Sequence, residues 1–72
     1  MHEVRAPVDG TVAAVPVDEG QLVAEEDEIA RVRTDTEVVI VATDVPGVVR
    51  ELYAEPGRRV RAGDVLAMID ES

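Results

Sequence analysis

The fold is decided by the stretch Glu55-Pro-Gly-Arg-Arg-Val-Arg-Ala-Gly-Asp-Val-Leu-Ala67, because residues 18–30 repeat its pattern. A shift of 37 places aligns six identical residues within positions 10–32 without a gap, which predicts two halves with the same backbone. Conservative replacements, such as Ile29 with Leu66, lie between the identities. The identical pairs are Gly10 with Gly47, Val12 with Val49, Gly20 with Gly57, Val23 with Val60, Asp27 with Asp64 and Ala30 with Ala67.

Each half is predicted to consist of short β-strands joined by glycine turns. One strand leaves Gly10 or Gly47, and a corner follows at Gly20 or Gly57. A short strand, a turn and a longer strand then complete each half. Fifteen of the 72 residues are valine, whose branched side chain packs well on a pleated sheet. We therefore expect an all-β fold.

Helix is the competing interpretation for residues 21–33, which are rich in Ala, Glu and Arg. The matching segment of the second half directly follows Gly57 and contains Gly63, and both glycines disfavour a helix, so strands are preferred. Within residues 21–33, the turn before the longer strand has Glu26 at the position that Gly63 occupies in the second half. A residue with a Cβ rarely adopts the positive φ that is open to glycine, so we predict that the first turn differs locally.

The first strand is expected to be irregular. Its apolar residues break strict alternation, which predicts a bulge or bend near Ala13-Ala14 in a strand that extends to Val17. Pro16 has no N–H group to donate and should lie on an edge or at that bend. Val49 and Leu66 are expected to face the interior.

An antiparallel hairpin is predicted at the centre of the chain. The most apolar run, Glu37–Ala42, follows Ile29–Arg33 across the turn Thr34-Asp35-Thr36. The predicted organisation is one domain over 1–72, with half-repeats over about 4–33 and 37–70 and the hairpin tip at 34–36.

Composition excludes several classes of function. The 7 basic residues are all arginines against 16 acidic residues, which gives a net charge of −9 and argues against nucleic acid and anionic membranes as partners. Without Cys or Lys, the chain has no disulfide, thiolate site or lysine nucleophile. No apolar run approaches the ~18 residues of a membrane span. We expect a cytoplasmic protein, with a monomer favoured.

The usual catalytic constellations cannot be assembled from these residues. His2 is the only imidazole, Ser72 is the only serine, and Tyr53 is the only aromatic residue, which we expect to cover the edge of the core. The acidic run Glu25–Glu28 lacks the alternating spacing and the glycine of a calcium loop, and is interpreted as solvated surface. We therefore expect no enzyme, no catalytic residue and no metal.

The basic cluster Arg58, Arg59 and Arg61 is expected to pair with Glu55 and Asp64 on neighbouring strands. A docking patch for an acidic partner is the alternative interpretation of these arginines.

Four motifs make the chain resemble the biotinyl/lipoyl-attachment domain family over essentially its whole length. The resemblance implies a flattened β-barrel, a barrel-sandwich hybrid of two four-stranded antiparallel sheets with a quasi-twofold axis, and an exposed central hairpin. In that family the hairpin tip carries a lysine that is modified with biotin or lipoate. The motifs are Ala6-Pro-Val-Asp-Gly-Thr-Val12, Asp18-Glu-Gly-Gln-Leu-Val23, Gly47-Val-Val-Arg-Glu-Leu52 and Glu55–Ala67.

Counted back eleven residues from Gly47, the family's acceptor position falls on Thr36, where a lysine is missing. The preceding Thr34-Asp35 matches the lipoyl-type Thr-Asp-Lys, whereas Arg33 stands where lipoyl domains tend to carry an acidic residue. Thr36 is therefore a degenerate attachment position. We expect no cofactor, unless the natural sequence has a lysine in this hairpin.

Three hypotheses follow from the resemblance. The first is a non-catalytic, unmodified domain that docks to a partner enzyme, such as a carboxylase, transferase or dehydrogenase component, through its acidic surface and the Arg33–Glu37 hairpin. The docking candidates in this hairpin are Arg33, Asp35 and Glu37. The second is a biotin carboxyl carrier or lipoyl carrier subunit whose acceptor lysine is replaced at Thr36. The third is an adaptor module similar to the lipoyl-like halves of membrane-fusion proteins.

Overall fold

Eight β-strands form within residues 1–71, the part of the chain that the computed structural model describes. These residues contain no helix, so the helix interpretation of 21–33 is wrong and the all-β fold is confirmed. The strands are β1 (His2–Arg5), β2 (Gly10–Ala14), β3 (Leu22–Val23), β4 (Glu28–Arg33), β5 (Val38–Ala42), β6 (Gly47–Leu52), β7 (Arg59–Val60) and β8 (Val65–Glu71).

The strands form two four-stranded sheets, with the orders β1-β8-β6-β3 and β5-β4-β2-β7, in which all neighbours are antiparallel. A shift of 37 residues carries β1, β2, β3 and β4 onto β5, β6, β7 and β8, and so converts one sheet order into the other. The sequence repeat is therefore a quasi-twofold relationship between the sheets. This arrangement confirms the flattened barrel of two four-stranded antiparallel sheets.

The core between the sheets is built mostly from Val, Ile, Leu and Ala. Val49 is 0% exposed and Leu66 is 1% exposed, so the predicted facing of both side chains is confirmed. Their counterparts in the other half, Val12 and Ile29, are equally buried. The two halves thus contribute matching side chains to one core.

Close backbone approach requires glycine at the start of β2 and of β6. A Cβ built on Gly10 would lie 2.5 Å from the carbonyl oxygen of Arg33, in the neighbouring strand β4. A Cβ on Gly47 would meet the carbonyl oxygen of Asp70, the counterpart of Arg33 in the other half. Since real Cβ atoms do not approach this closely, these glycines allow the strands to pair.

The bulge expected in the first strand is present. The register of β2 against β4 shifts between Val12 and Ala14, as predicted. The strand ends at Ala14, however, three residues before the predicted end at Val17. Pro16 is exposed and lies outside the sheet, because it has no N–H group with which to continue the ladder.

The turn before β4 contradicts the prediction that it differs from its counterpart. Glu26 has a φ of 72° and Gly63 has a φ of 94°, so both turns pass through the left-handed region. Glu26 is the only residue with a side chain that does so within 1–71. The fold imposes this conformation on a glutamate at a cost of about 1–2 kcal/mol relative to ordinary backbone.

Candidate functional site

The tip of the hairpin between β4 and β5 is held by the side chain of Thr34. Its hydroxyl accepts hydrogen bonds from the backbone N–H of Thr36 at 3.2 Å and of Glu37 at 3.1 Å. The same hydroxyl donates to the carbonyl oxygen of Glu37 at 3.2 Å, and the Thr34 N–H donates to that oxygen at 2.8 Å. A threonine at this position therefore makes the turn rigid through bonds within four residues.

Thr36 and Asp35 form the exposed top of this turn. Both side chains are open to solvent, and Glu37 beside them is exposed as well. Thr36 is thus presented to solvent in a turn that the Thr34 hydroxyl holds. The sequence-predicted residues Thr34, Asp35, Thr36 and Glu37 all lie together in this connection, since β4 ends at Arg33 and β5 begins at Val38.

The residues at the tip do not fit a covalently attached biotin or lipoate. Such an attachment is an amide between the cofactor's carboxylate and a primary amine. Thr36 offers only a hydroxyl, and the sequence contains no lysine that could replace it. The hairpin tip therefore offers no primary amine for such an amide.

Below the tip, a row of side chains crosses the outer face of the second sheet. Thr11 of β2 pairs with Arg33 of β4 on one side and with Arg59 of β7 on the other. We call these three residues the arginine row. Strands lie about 4.8 Å apart, so the two arginine Cα atoms are about 10 Å apart with Thr11 between them. At the edge of the sheet, Val38 of β5 pairs with Arg33 and continues the row.

An open groove of about 230 Å³ lies along the arginine row and reaches the tip. Asp9 and Asp35 also line this groove. The carboxylate of Asp9 is already engaged, because it accepts the backbone N–H of Ala62 at 2.7 Å. The groove therefore combines two guanidinium groups with the hairpin tip on one surface.

The arginines of the basic cluster do not pair as predicted. Arg58 donates from Nη1 to the carbonyl oxygen of Tyr53 at 2.9 Å rather than to Glu55. The carboxylate of Asp64 accepts the backbone N–H of Arg61 at 2.9 Å and is occupied in holding its own turn. Within residues 1–71, ion pairs form only at other arginines, namely Arg5 with Glu3, Arg31 with Glu28 and Arg50 with Asp70.

A groove of larger volume, about 520 Å³, lies around Tyr53, which is 42% exposed. Its polar groups are already engaged within the chain. The Tyr53 hydroxyl donates to Glu51 at 2.5 Å, and this bond raises the pKa of the phenol. Arg58 is bonded to the Tyr53 carbonyl, and Glu3 is paired with Arg5. This groove therefore offers fewer free polar groups than the one beside the hairpin.

Neither a metal centre nor a membrane span is found among residues 1–71. No group of three or more His, Cys, Asp or Glu side chains there is arranged to hold a metal ion. The same residues include no helix that is long and apolar enough to cross a bilayer.

Sequence reasoning missed Thr11 and Arg59 as neighbours of the hairpin. It identified Arg33 as a docking candidate but assigned Arg59 to a separate cluster. The available signal was the internal repeat, because Arg33 and Arg59 replace Asp70 and Leu22 of the other half.

Comparisons with known proteins agree with this geometry. The lipoyl domain of the 2-oxoglutarate dehydrogenase complex from Azotobacter vinelandii has 28% sequence identity and a TM-score of 0.81, and the match covers 99% of this chain and 98% of that one. The ectoine utilization protein EutE (DoeB) from Ruegeria pomeroyi also has 28% identity, with a TM-score of 0.77, over 97% of this chain and 22% of that protein.

A single-chain, multi-domain long-chain acyl-CoA carboxylase has a TM-score of 0.90 at 21% identity, which shows the shared fold. The match covers 99% of this chain but 7% of the carboxylase, so the chain corresponds to a small segment of that protein. The sequence profile of the biotin/lipoyl family, described as "Biotin-requiring enzyme", matches residues 2–69. The chain therefore belongs to the biotin/lipoyl-attachment family.

Proposed function

We propose that this chain is an unmodified, non-catalytic member of its family that acts by docking to a partner enzyme. The observation that carries the proposal is the combination of a preserved hairpin tip with Thr36 at the acceptor position. Thr34 holds the turn through its hydroxyl, so the presented surface persists although the amine is absent. An exposed, ordered hairpin tip that has no amine can be recognised by a partner but cannot carry an amide-linked cofactor.

The similarity to EutE shows that this fold also occurs within a larger protein. That protein is named for ectoine utilization and matches this chain at the same identity, 28%, as the lipoyl domain does. The matched segment is 22% of its length, so a domain of this fold also occurs as a minor part of a larger protein. The partner of this chain is proposed to be an enzyme, such as a carboxylase, transferase or dehydrogenase component, because the similar lipoyl domain belongs to the 2-oxoglutarate dehydrogenase complex.

The second candidate is a biotin or lipoyl carrier whose acceptor lysine has been replaced at Thr36. The observation that favours it is the exposure of position 36 on a turn fixed by Thr34. In this case Thr36→Lys restores an acceptor in the geometry that a modifying ligase reads. A lysine codon at position 36 of the natural gene would replace the first proposal with this one.

Intact mass spectrometry tests both proposals. The chain isolated from its native host is expected to have its unmodified mass and to co-purify with one specific enzyme. In vitro, biotin ligase and lipoate ligase with their substrates are expected to leave the wild-type chain unchanged.

Two lysine variants provide the comparison for the ligase experiment. Thr36→Lys places an amine at the family position, whereas the matched control Glu37→Lys places one a single residue away. If the ligase modifies Thr36→Lys but not Glu37→Lys, the result supports the interpretation that the hairpin tip derives from an attachment site. A mass increase equal to biotin or lipoate on the wild-type chain overturns the proposed unmodified state.

A further inference from the structure

The arginine row is a property of one sheet and is not required by the fold. The residues that correspond to Arg33, Thr11 and Arg59 in the other half are Asp70, Val48 and Leu22, and these also lie side by side in neighbouring strands. The same backbone thus supports an acidic and apolar row in one sheet and a dibasic row in the other. The arginines therefore call for an explanation other than folding.

Both arginines of the row lack a carboxylate partner within residues 1–71. The ion pairs of this part of the chain involve Arg5, Arg31 and Arg50. Asp70, which corresponds to Arg33 in the other sheet, does have a partner of opposite charge. It accepts a hydrogen bond from Arg50 at 2.5 Å. Arg58 and Arg61 also form no ion pair in the described residues, so the row is distinguished by its two guanidinium groups lying on one face with Thr11 between them.

An apolar border adjoins the row on strand β5. Val38 pairs with Arg33 and is 53% exposed, and Ile40 pairs with Arg31 and is 59% exposed. Both side chains lie on an edge strand of the sheet, because β5 is the first strand in its order. A ligand that covered this border and the row together would have to carry both apolar and anionic groups.

We propose that the arginine row and its border of Val38 and Ile40 dock an acidic, partly apolar segment of the partner protein. Two carboxylates of that segment accept hydrogen bonds from Arg33 and Arg59, and an apolar side chain of the segment covers Val38 and Ile40. Arginine suits this task because its planar fork binds carboxylate in a bidentate manner. This inference rests on the proposed docking function and names the surface and the partner chemistry for it.

Other occupants fit the surface less well. A small anion such as phosphate would contact the guanidinium groups in the groove but would leave the exposed Val38 uncovered. A second copy of the chain has the same charge of −9, so association between copies is opposed by net repulsion. A polypeptide segment satisfies both the cationic and the apolar parts.

The test is a titration of the isotope-labelled full chain with the peptide acetyl-Glu-Leu-Glu-Leu-Glu-amide, followed by NMR. Backbone amide shifts are expected to move at Thr11, Arg33, Val38 and Arg59, and to move less as salt is added. A peptide with Gln in place of each Glu is the control ligand and is expected to bind about tenfold more weakly.

Two variants with the same charge change separate the row from general electrostatics. The double variant Arg33→Gln with Arg59→Gln is expected to weaken peptide binding about tenfold. The matched double variant Arg5→Gln with Arg50→Gln removes two exposed arginines elsewhere and is expected to keep wild-type affinity. Thermal unfolding of both variants checks that the fold is retained.

Several outcomes would overturn the proposal. Equal binding by the two double variants, or by the Glu and Gln peptides, means that the row does not recognise carboxylates. Inorganic phosphate that produces the same shifts at equal affinity means a small-anion site, and self-association through the row means a dimer interface. A cofactor found on the wild-type chain overturns the unmodified state but leaves this binding result standing, so the two failures are distinguishable.

Discussion

Glu26 occupies the backbone position that Gly63 occupies in the other half of the molecule. The Glu26 N–H donates to the carbonyl oxygen of Thr43 at 2.7 Å, and the Gly63 N–H donates to that of Ala6 at 2.8 Å. Each turn is thus tied by an equivalent bond to the residue that directly follows an edge strand, β5 or β1. Because these bonds fix the backbone, the glutamate adopts a positive φ that it would otherwise avoid.

Replacing Glu26 with glycine should therefore stabilise the chain. We expect Glu26→Gly to raise the free energy of unfolding by about 1 kcal/mol, since glycine adopts this conformation without strain. Urea denaturation measures the change. The neighbouring Glu25→Gly is the control and should give no gain, because Glu25 does not have a positive φ. An unchanged or lower stability of Glu26→Gly would contradict the strain at this turn.

Adding a methyl group at Gly10 should be more damaging than adding one at Gly20. The new Cβ at Gly10 would collide with backbone of β4, and we expect a loss of about 1–3 kcal/mol or more in unfolding free energy. At Gly20, where φ is 86° and the space is open, only backbone strain of about 1 kcal/mol applies. Equal losses for Gly10→Ala and Gly20→Ala would show that close strand approach is not the reason for Gly10.

Truncation of the core should be costly in so small a protein. We expect Val49→Ala and Leu66→Ala each to cost about 2–4 kcal/mol, because both side chains are fully enclosed between the sheets. Val38→Ala serves as the control, since Val38 is 53% exposed and should lose little. The measurement is the midpoint of thermal unfolding. A loss at Val38 as large as that at Val49 would be inconsistent with this core.

Tyr53 should titrate above the ordinary tyrosine pKa of about 10. Its hydroxyl donates to the Glu51 carboxylate, and this bond is the main cause of the raised pKa, with smaller contributions from burial and the Glu51 charge. As Tyr53 is the only tyrosine, ultraviolet absorption reports this one group. Glu51→Gln should bring the pKa back towards 10, and an unchanged pKa in that variant would rule out the bond.

The raised pKa of Tyr53 determines how its hydrogen bond affects stability as the pH changes. The folded state holds the phenol proton more tightly than the unfolded state. The contribution of the bond to the free energy of unfolding is therefore fully present at pH values below the unfolded pKa. The contribution is lost as the pH rises through the folded pKa, in the alkaline range. Glu28 behaves in the opposite way, because its hydrogen bond to Arg31 lowers its pKa. The Glu28 contribution is present above the unfolded pKa and is lost as the pH falls through the folded pKa.

The internal repeat extends to strand β1, at the start of the chain. The predicted first half began at residue 4, yet β1 starts at His2. The shift of 37 pairs Val4 with Val41, and both are buried valines of edge strands. A repeat extended to the start of the chain would have found this strand, because symmetric positions share their burial.

At the turn that contains Glu26, the intrinsic backbone preference of glutamate predicted the wrong conformation. Intrinsic preference disfavours glutamate at positive φ, and reasoning from one residue predicts a different turn. Backbone hydrogen bonds to Thr43 and a capping bond from the Ala24 N–H to Asp27 at 2.8 Å overrode that preference. The repeat was the better guide here because it reports backbone geometry that neighbouring segments impose.

The sequence by itself determined the internal repeat and the approximate positions of the strands, but not the ends of β2 or the turn at Glu26. Its repeat, its glycines and its central apolar run are local signals, and together they define two like halves and a hairpin with Thr36 at the tip. Only the tertiary structure decided which side chains share a surface. Thr11 is 22 residues from Arg33 and 48 residues from Arg59, and their alignment depends on strand register and on the bulge in β2. Register is set by pairing between distant segments, so the arginine row became visible only in the folded chain.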